Sequence, residues 1–267
     1  MERKLETYLQ DRPDIPDEVI ERLLREARPM LTSALDRLRR PLIQVAICDS
    51  PLGQLFAAKS AQGLVALRFM ESDPVENTMQ TLRQRFDVIE DEQLADEITG
   101  DIESLMRGDP AAVEARAVDL SLVESAFQRR ALMRLRRVPA GSVISYQALA
   151  AALGKPTAQR AIGNTVASNP VPIYVPCHRV IRSDGSLGNY GGGPERKLQL
   201  LRAEGFLVDR TRRLPRDAVY GHLGSRIFCR PTCNAVRRAE RRTWLIFADA
   251  QRAARFGMRA CRLCHPA

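Results

Sequence analysis

Apolar positions recur at helical spacing through the first forty residues. Leu5, Tyr8 and Leu9 make a short stripe that Pro13 and Pro16 interrupt. From Asp17 and Glu18 a stronger stripe runs through Val19, Ile20, Leu23 and Leu24. Pro29 has no amide hydrogen to give a helix interior, so it is expected to end or kink this helix, with a third piece carrying Leu35 and Leu38. At Pro41 the period changes. IQVAIC, QLFAAK and LVALRFM read as strands, with Ser50-Pro51-Leu52-Gly53 as the first turn. Cys48, in the first strand, reads as a buried small hydrophobe. Helical segments follow around Val75 to Phe86 and Asp101 to Met106.

From about Phe127 the pattern is helical again. FQRRALMRLRRVPAG is an amphipathic helix stopped by Pro139 and Gly141. Ser145 can cap a short helix, YQALAAAL, that ends at Gly154, and Thr157 can cap a second, AQRAIGNTVAS, that ends before Asn169-Pro170. Two short helices around a glycine-containing turn read as a helix-turn-helix, whose second helix usually docks on DNA. Arg160, with Ala158 and Gln159, stands near the start of that helix, where a reader of DNA would be placed. Beyond it lies IYVPCHRVIRSDGSLGNYGGGPERK, which puts the thiol of Cys177 beside the imidazole of His178. A thiolate is the reactive form of cysteine, and a neighbouring base increases its population. Adjacent side chains of an extended segment point to opposite faces, so His178 needs a bridging water or a local bend to act on Cys177. The dipeptide alone leaves the other reading open, a buried thiol beside a structural histidine.

Charge and cysteine spacing add a partner and a metal. The chain has 267 residues, enough for one large or two to three small domains, and its 45% apolar content supports ordinary cores. The formal charge is +9, and it is segregated: from Val208 onward there are fourteen Arg, no Lys and four acidic residues. That segregation points to a polyanionic partner. The charged N-terminus lacks an apolar signal core, and no run has the length of a membrane span, so a reducing cytoplasm and no membrane association are expected. There paired cysteines more often mean metal than disulfide. Cys229 and Cys233, then Cys261 and Cys264, have the spacing of a tetrahedral Zn2+ site, with a disulfide or free thiols as the alternatives. His265 is crowded by Cys264 and reads as a bystander, and His222 as a surface residue.

The motifs FQ, VPAG, SYQALA, AQRAIGN, NP, PCHRVI, GxxGNYGGG, RK and LLRAEG occur in family order between Phe127 and Gly205. This stretch closely resembles the catalytic domain of the O6-alkylguanine-DNA alkyltransferases, and DSPLG and GLVALRF look like that family's N-terminal β domain. The resemblance covers roughly Pro41 to Phe206 and not the first forty residues, so the chain reads as α+β in four segments: a helical extension (1–40), a small β-sheet domain (41–120), a helical catalytic domain with the helix-turn-helix (121–207) and a zinc module (208–267). It implies stoichiometric transfer of an alkyl group from O6-alkylguanine, flipped out of double-stranded DNA, to Cys177, by a monomer. His178 is then the base acting through a water, Glu204 orients and charges His178, Tyr146 can give a proton to the departing guanine, and Asn169 supports the active-site turn. Arg160 is the finger that enters the duplex, and the backbone of Val180 and of the Tyr190–Gly191 turn reads the guanine edge. Flipping is needed because O6 cannot be reached inside the stack, and an inserted side chain offsets part of the unstacking cost. Three departures, Glu124-Ser125-Ala126 before Phe127, Leu132 and Pro194, touch packing and the pocket rim.

IFCRPTC and FADAQRAARFGMRACRLC resemble the zinc domain of Ada-type methylation-response proteins, which implies a second methyl acceptor at Cys229. Arg237, Arg238, Arg241 and Arg242 are candidate phosphate contacts. The Ada-type zinc domain usually has more chain before the first of its cysteines, including an aromatic strand, and here the stretch before Cys229 looks shortened. The alternative is a purely structural zinc site in a DNA-damage sensor or transcription regulator. Against it, the chain keeps Cys177, His178 and Glu204 together.

Overall fold

The computed structural model describes residues 16–38, 40–71, 75–208, 214, 217–238 and 244–266. A 22-residue helix, Asp17–Leu38, opens it, and Pro29 lies inside that helix rather than ending it. The proline removes one bond of the ladder, and the good helix formers on either side carry the helix through. Ile20 of the apolar stripe is buried, while Leu23 and Met30 are exposed. The Leu5, Tyr8 and Leu9 stripe lies outside the described residues.

The strands β1 (Leu42–Cys48), β2 (Leu55–Ser60) and β3 (Gly63–Phe69) form an antiparallel meander. Its first turn closes where Gly53, at a φ of 97°, donates its N–H to the Ser50 carbonyl at 2.9 Å. The sequence did not reveal β4 (Asp87–Glu90), which joins β1 in parallel. It is four residues long and mostly exposed, too short and polar for periodicity to detect. β2 and β3 read as near-continuous apolar runs because both faces of the sheet are covered. Leu55, Ala57, Leu64 and Leu67 pack with Leu94, Ile98 and Ile102 of the Glu92–Met106 helix. Val45, Phe56 and Val65 pack with Met79 and Leu82 of the Val75–Arg85 helix.

A second sheet runs through the rest of the chain in the order β10-β8-β7-β9-β5-β6. β5 (Ser142–Ser145) and β6 (Val180–Ile181) belong to the stretch that carries Cys177. β7 (Val219–His222), β8 (Ile227–Cys229), β9 (Trp244–Phe247) and β10 (Arg259–Ala260) come from the C-terminal segment. β9 is buried along its whole length and pairs with β7 on one side and β5 on the other, with Ser142 opposite Phe247 and Ile144 opposite Leu245. Residues 208–267 therefore share a sheet with residues 121–207. They also share cores: Leu245, Phe247, Ala253 and Met258 pack in one cluster with Ile144, Cys177 and Val180, and Ile246 and Ala248 in another with Val143, Leu201 and Phe206. The shortened stretch before Cys229 holds a strand of its own, β7, which carries Tyr220 and pairs with β8. Among the described residues no helix is long and apolar enough to cross a membrane.

Candidate active site and metal centre

The helix Tyr146–Ala152 is capped as its sequence indicates, Ala148 N–H donating to Ser145 Oγ at 3.0 Å. The second helix, Gln159–Ala167, starts after Ala158 and has no side-chain cap, so Thr157 does not fill the capping role. Arg160 and Gln159 are exposed in its first turn. After this helix the chain does not run extended into Cys177. Asn169 holds it bent: its Oδ1 accepts from Val171 N–H at 3.1 Å and its Nδ2 donates to the Val175 carbonyl at 2.8 Å. Ile173 sits at a φ of 74°, costly for a β-branched residue and over-determined by these bonds. Cys177–Arg179 is then a 3-10 turn, closed by Arg179 N–H on the Pro176 carbonyl at 2.9 Å. The backbone at Cys177–Arg179 is bent and not extended, so the two side chains are not held on opposite faces of a strand.

Asn169 Nδ2 also donates to Cys177 Sγ at 3.1 Å. Burial pushes the Cys177 thiol above its ordinary range, while the Asn169 bond and the Lys197 ammonium pull it down, so the resting group is a thiol. His178 is fully buried, and burial lowers its pKa although Glu204 acts to raise it. Its Nε2 is 2.8 Å from Glu204 Oε1, and its Nδ1 has no hydrogen-bond partner among the described residues. A neutral ring donating from Nε2 to the carboxylate leaves a basic lone pair on Nδ1. Burial alone would raise the Glu204 carboxyl, but the Arg179 guanidinium and then His178 hold it at about 2. Arg179 Nε lies 3.0 Å from both carboxylate oxygens, and its Nη2 2.7 Å from one of them.

Cys177, Asn169, Tyr190 and Gly191 face a cavity of about 400 Å³ that Leu67, Arg68 and Phe69 of β3 close from the other side. Gly192 is needed there, since a Cβ would sit 2.5 Å from Phe69 Cε2. Tyr146 lines an adjoining space of about 460 Å³ with Arg182, Tyr190 and Gly191. Burial, then Cys177, raises the Tyr146 phenol, so it carries its proton at neutral pH. Val180 is fully buried, and its carbonyl accepts from Lys197 Nζ at 2.7 Å.

The four C-terminal cysteines converge. β8 and β10 pair in parallel, which brings Cys229, at the end of one, beside Cys261, just after the other. Cys233 precedes the Asn234–Arg238 helix, Cys264 lies in the final turn, and the four sulphurs are all within 4.8 Å of one another. Tetrahedral zinc with Zn–S bonds of about 2.3 Å needs sulphurs about 3.8 Å apart, so the set fits. Backbone amides serve the sulphurs as well: Leu263 N–H points at Cys261 Sγ and Arg230 N–H at Cys264 Sγ, each at 3.4 Å. His265 is exposed and outside the cluster, and His222 meets Trp244 edge to face, with its Nδ1 3.0 Å from Ser225 Oγ. The side chains of Arg237 and Arg238, and all of Arg241 and Arg242, fall outside the described residues.

Comparison with known proteins matches both halves of this arrangement. Residues 126–206 match the family described as 6-O-methylguanine DNA methyltransferase, DNA binding domain, and residues 205–267 the metal-binding domain of Ada. The methylated-DNA–protein-cysteine methyltransferase of Rattus norvegicus is 38% identical over 183 residues, 61% of this chain and 83% of the rat protein. The chain belongs to the methylated-DNA–protein-cysteine methyltransferase family. The bifunctional transcriptional activator/DNA repair enzyme Ada of Escherichia coli is 36% identical over 168 residues, but the match spans 45% of its length. A crystal structure of Mycobacterium tuberculosis OGT in complex with DNA superposes with a TM-score of 0.51 at 31% identity, covering 61% of this chain and 93% of that one. The family's DNA-binding domain and the Ada metal-binding domain are both present, the second with its four cysteines gathered as a zinc site.

Sequence reading of this methyltransferase chain missed three groups around the site. Arg179, 2% exposed, clamps Glu204. Lys197, 1% exposed, is lowered to about 8 by burial and spans the carbonyls of Val180 and Leu187. Arg68 reaches from β3 to the carbonyls of Asn169 and Pro170 at 3.2 and 2.9 Å. The first two stood inside the quoted PCHRVI and RK motifs, where their charge in an otherwise buried stretch was the available signal.

Proposed function

We propose that this chain repairs DNA by moving the alkyl group of an O6-alkylguanine from a flipped nucleotide of duplex DNA onto Cys177 Sγ, once per chain. The observation that carries this reading is the unpartnered Nδ1 of buried His178, beside a buried thiol that faces a cavity. A water between the two would take the thiol proton and pass it to Nδ1. The thiolate then attacks the alkyl carbon: an S–C bond forms, the C–O6 bond breaks, and its electron pair leaves on the guanine. Tyr146, protonated and lining the adjoining space, is the acid for that anion. Glu204 fixes the ring and stabilises the imidazolium, and Asn169 steadies the developing thiolate. Arg160 and Gln159, exposed on the second helix, are assigned to the duplex, Ala158 to the turn that presents them, and the Tyr190–Gly191 backbone to the guanine edge; Val180, fully buried with its carbonyl on Lys197 and its N–H on the Cys177 carbonyl, supports the turn from behind. The thioether has no facile leaving reaction, so each chain is consumed in one turnover.

Cys229, Cys233, Cys261 and Cys264 would hold zinc, which fixes the two knuckles to each other. We assign Cys229 to the ligand set alone, since its buried side chain packs among Val236, Trp244 and the other cysteines, whereas Cys177 faces a cavity. The test is intact mass and peptide mapping after incubation with duplex DNA carrying one O6-methylguanine. The wild-type chain gains one methyl, on Cys177, and Cys177→Ala gains none while still binding DNA. A wild-type chain that binds without gaining mass refutes the reading in favour of a sensor, and a methyl on Cys229 refutes the ligand-only assignment.

A further inference from the structure

One side chain of the C-terminal segment, Arg252, bonds the backbone of the turn that carries Glu204. Asp249 caps the Ala250–Arg255 helix by accepting from Arg252 N–H at 2.8 Å, and its other carboxylate oxygen takes Arg252 Nε at 3.2 Å. The guanidinium so held lies in a slot between two glycines. A Cβ at Gly205 would be 2.0 Å from Arg252 Nη2, and one at Gly141 2.7 Å from Nη1. Both glycines have positive φ, 75° and 71°. In the slot Nη1 donates to the backbone carbonyl of Glu204 at 3.0 Å.

That carbonyl stands at the end of the Pro194–Ala203 helix, whose C-cap is Glu204. Phe206 N–H bonds the Leu201 carbonyl at 2.7 Å and Gly205 N–H the Arg202 carbonyl at 2.8 Å, the double closure of a left-handed glycine cap. The capped turn leaves the Glu204 carbonyl without a helical partner, and a cation at a helix C-terminus is favourably placed. The same residue's carboxylate holds His178 Nε2. The segment's β9 also pairs with β5, which pairs with β6 directly after the Cys177 turn.

We propose that Arg252 is a positioning residue for the methyl-transfer site: by fixing the Glu204 backbone from the C-terminal segment, it sets the carboxylate against His178. The inference rests on the alkyl-transfer reading above. The metal-bearing segment is then a working part of the transfer site and not an appendage to it. His178 is faced by Glu204, Arg179, Lys197, Tyr190 and the Cys177 thiol. Of these, Glu204 acts to raise its proton affinity, so loosening Glu204 makes the imidazole a weaker base.

The experiment is single-turnover transfer from methylated duplex DNA, followed by mass against pH, for wild type, Arg252→Ala and Arg252→Lys. Losing one backbone-fixing hydrogen bond should slow Arg252→Ala about fivefold at the plateau. Its acidic inflection moves to lower pH, binding to unmethylated duplex is unchanged, and Arg252→Lys restores most of the rate. Asp249→Asn keeps the cap but loosens the pair, and shifts both readouts the same way by less, which decides the matter should Arg252→Ala not fold. A wild-type rate and inflection in both Arg252→Ala and Asp249→Asn overturn the proposal. So does a loss that leaves the inflection fixed and that lysine does not restore. A wild-type chain that transfers nothing fails the alkyl-transfer reading instead.

Discussion

Replacing Glu204 by glutamine keeps the shape of the side chain and removes its charge. The carboxylate is fully buried and is contacted by His178 Nε2 at 2.8 Å and by Arg179 at 2.7 and 3.0 Å. Its pKa is held at about 2, against an ordinary 4.5. A depression of that size corresponds to about 3 kcal/mol of stability. Because the folded value is the lower one, this stability is fully present above pH 4.5 and is lost as the pH falls through about 2. At pH 3 roughly 1.4 kcal/mol of it should remain. Glutamine also leaves the buried Arg179 guanidinium with the half-exposed Glu114 carboxylate, at 3.4 Å, as its remaining counter-charge, and breaking a buried pair typically costs about 3–5 kcal/mol. For a chain of this size that lowers the melting temperature by roughly 10 °C. Urea unfolding of wild type and Glu204→Gln at pH 7 and pH 3 is the assay, with the difference between them narrowing by about 2 kcal/mol at the lower pH. Methyl transfer by the folded variant should fall about a hundredfold, since the imidazolium formed in the step loses its counter-ion. A melting temperature within 2 °C of wild type, or a stability difference that does not change between the two pH values, would refute the assignment of Glu204 as a buried anion shared by His178 and Arg179.

Two further outcomes are expected. Arg160→Ala keeps the thiol reactive toward free O6-methylguanine base but slows repair of the same lesion in duplex DNA; equal loss on both substrates, read by mass, counts against a role in flipping. Cys233→Ser removes one of four clustered sulphurs. It should lower zinc content by metal analysis and, because β8 and β9 lie in the sheet shared with β5, also lower the melting temperature of the whole chain in a single transition. A separate low-temperature transition with the main one unmoved would mean that the C-terminal segment unfolds on its own.

What the sequence determined by itself was the chemistry and the local elements that carry it. The three strands of the meander, the Ser145 cap and the four-cysteine set follow from nearest-neighbour rules: alternation, a hydroxyl before a helix, ligand spacing. Cys177, His178 and Glu204 stood in motifs of fixed order, and the fold brings His178 and Glu204 into contact at 2.8 Å; their roles as nucleophile, base and carboxylate belong to the proposal above. The turn at Cys177 was not legible in the sequence. It is imposed by Asn169, six to eight residues away from Val175 and Cys177, and by Arg68 from a different sheet. Nor could periodicity show that Trp244–Phe247 is the strand that ties the zinc segment to β5, since four apolar residues have no face of their own until neighbours exist on both sides. The same holds for Arg252. Its role is set by two glycines 64 positions apart, Gly141 and Gly205, and by a carbonyl at the end of a helix. Such long-range backbone geometry exists only once the chain has closed on itself, so tertiary structure alone decided that the metal-bearing segment and the methyl-transfer site form one unit.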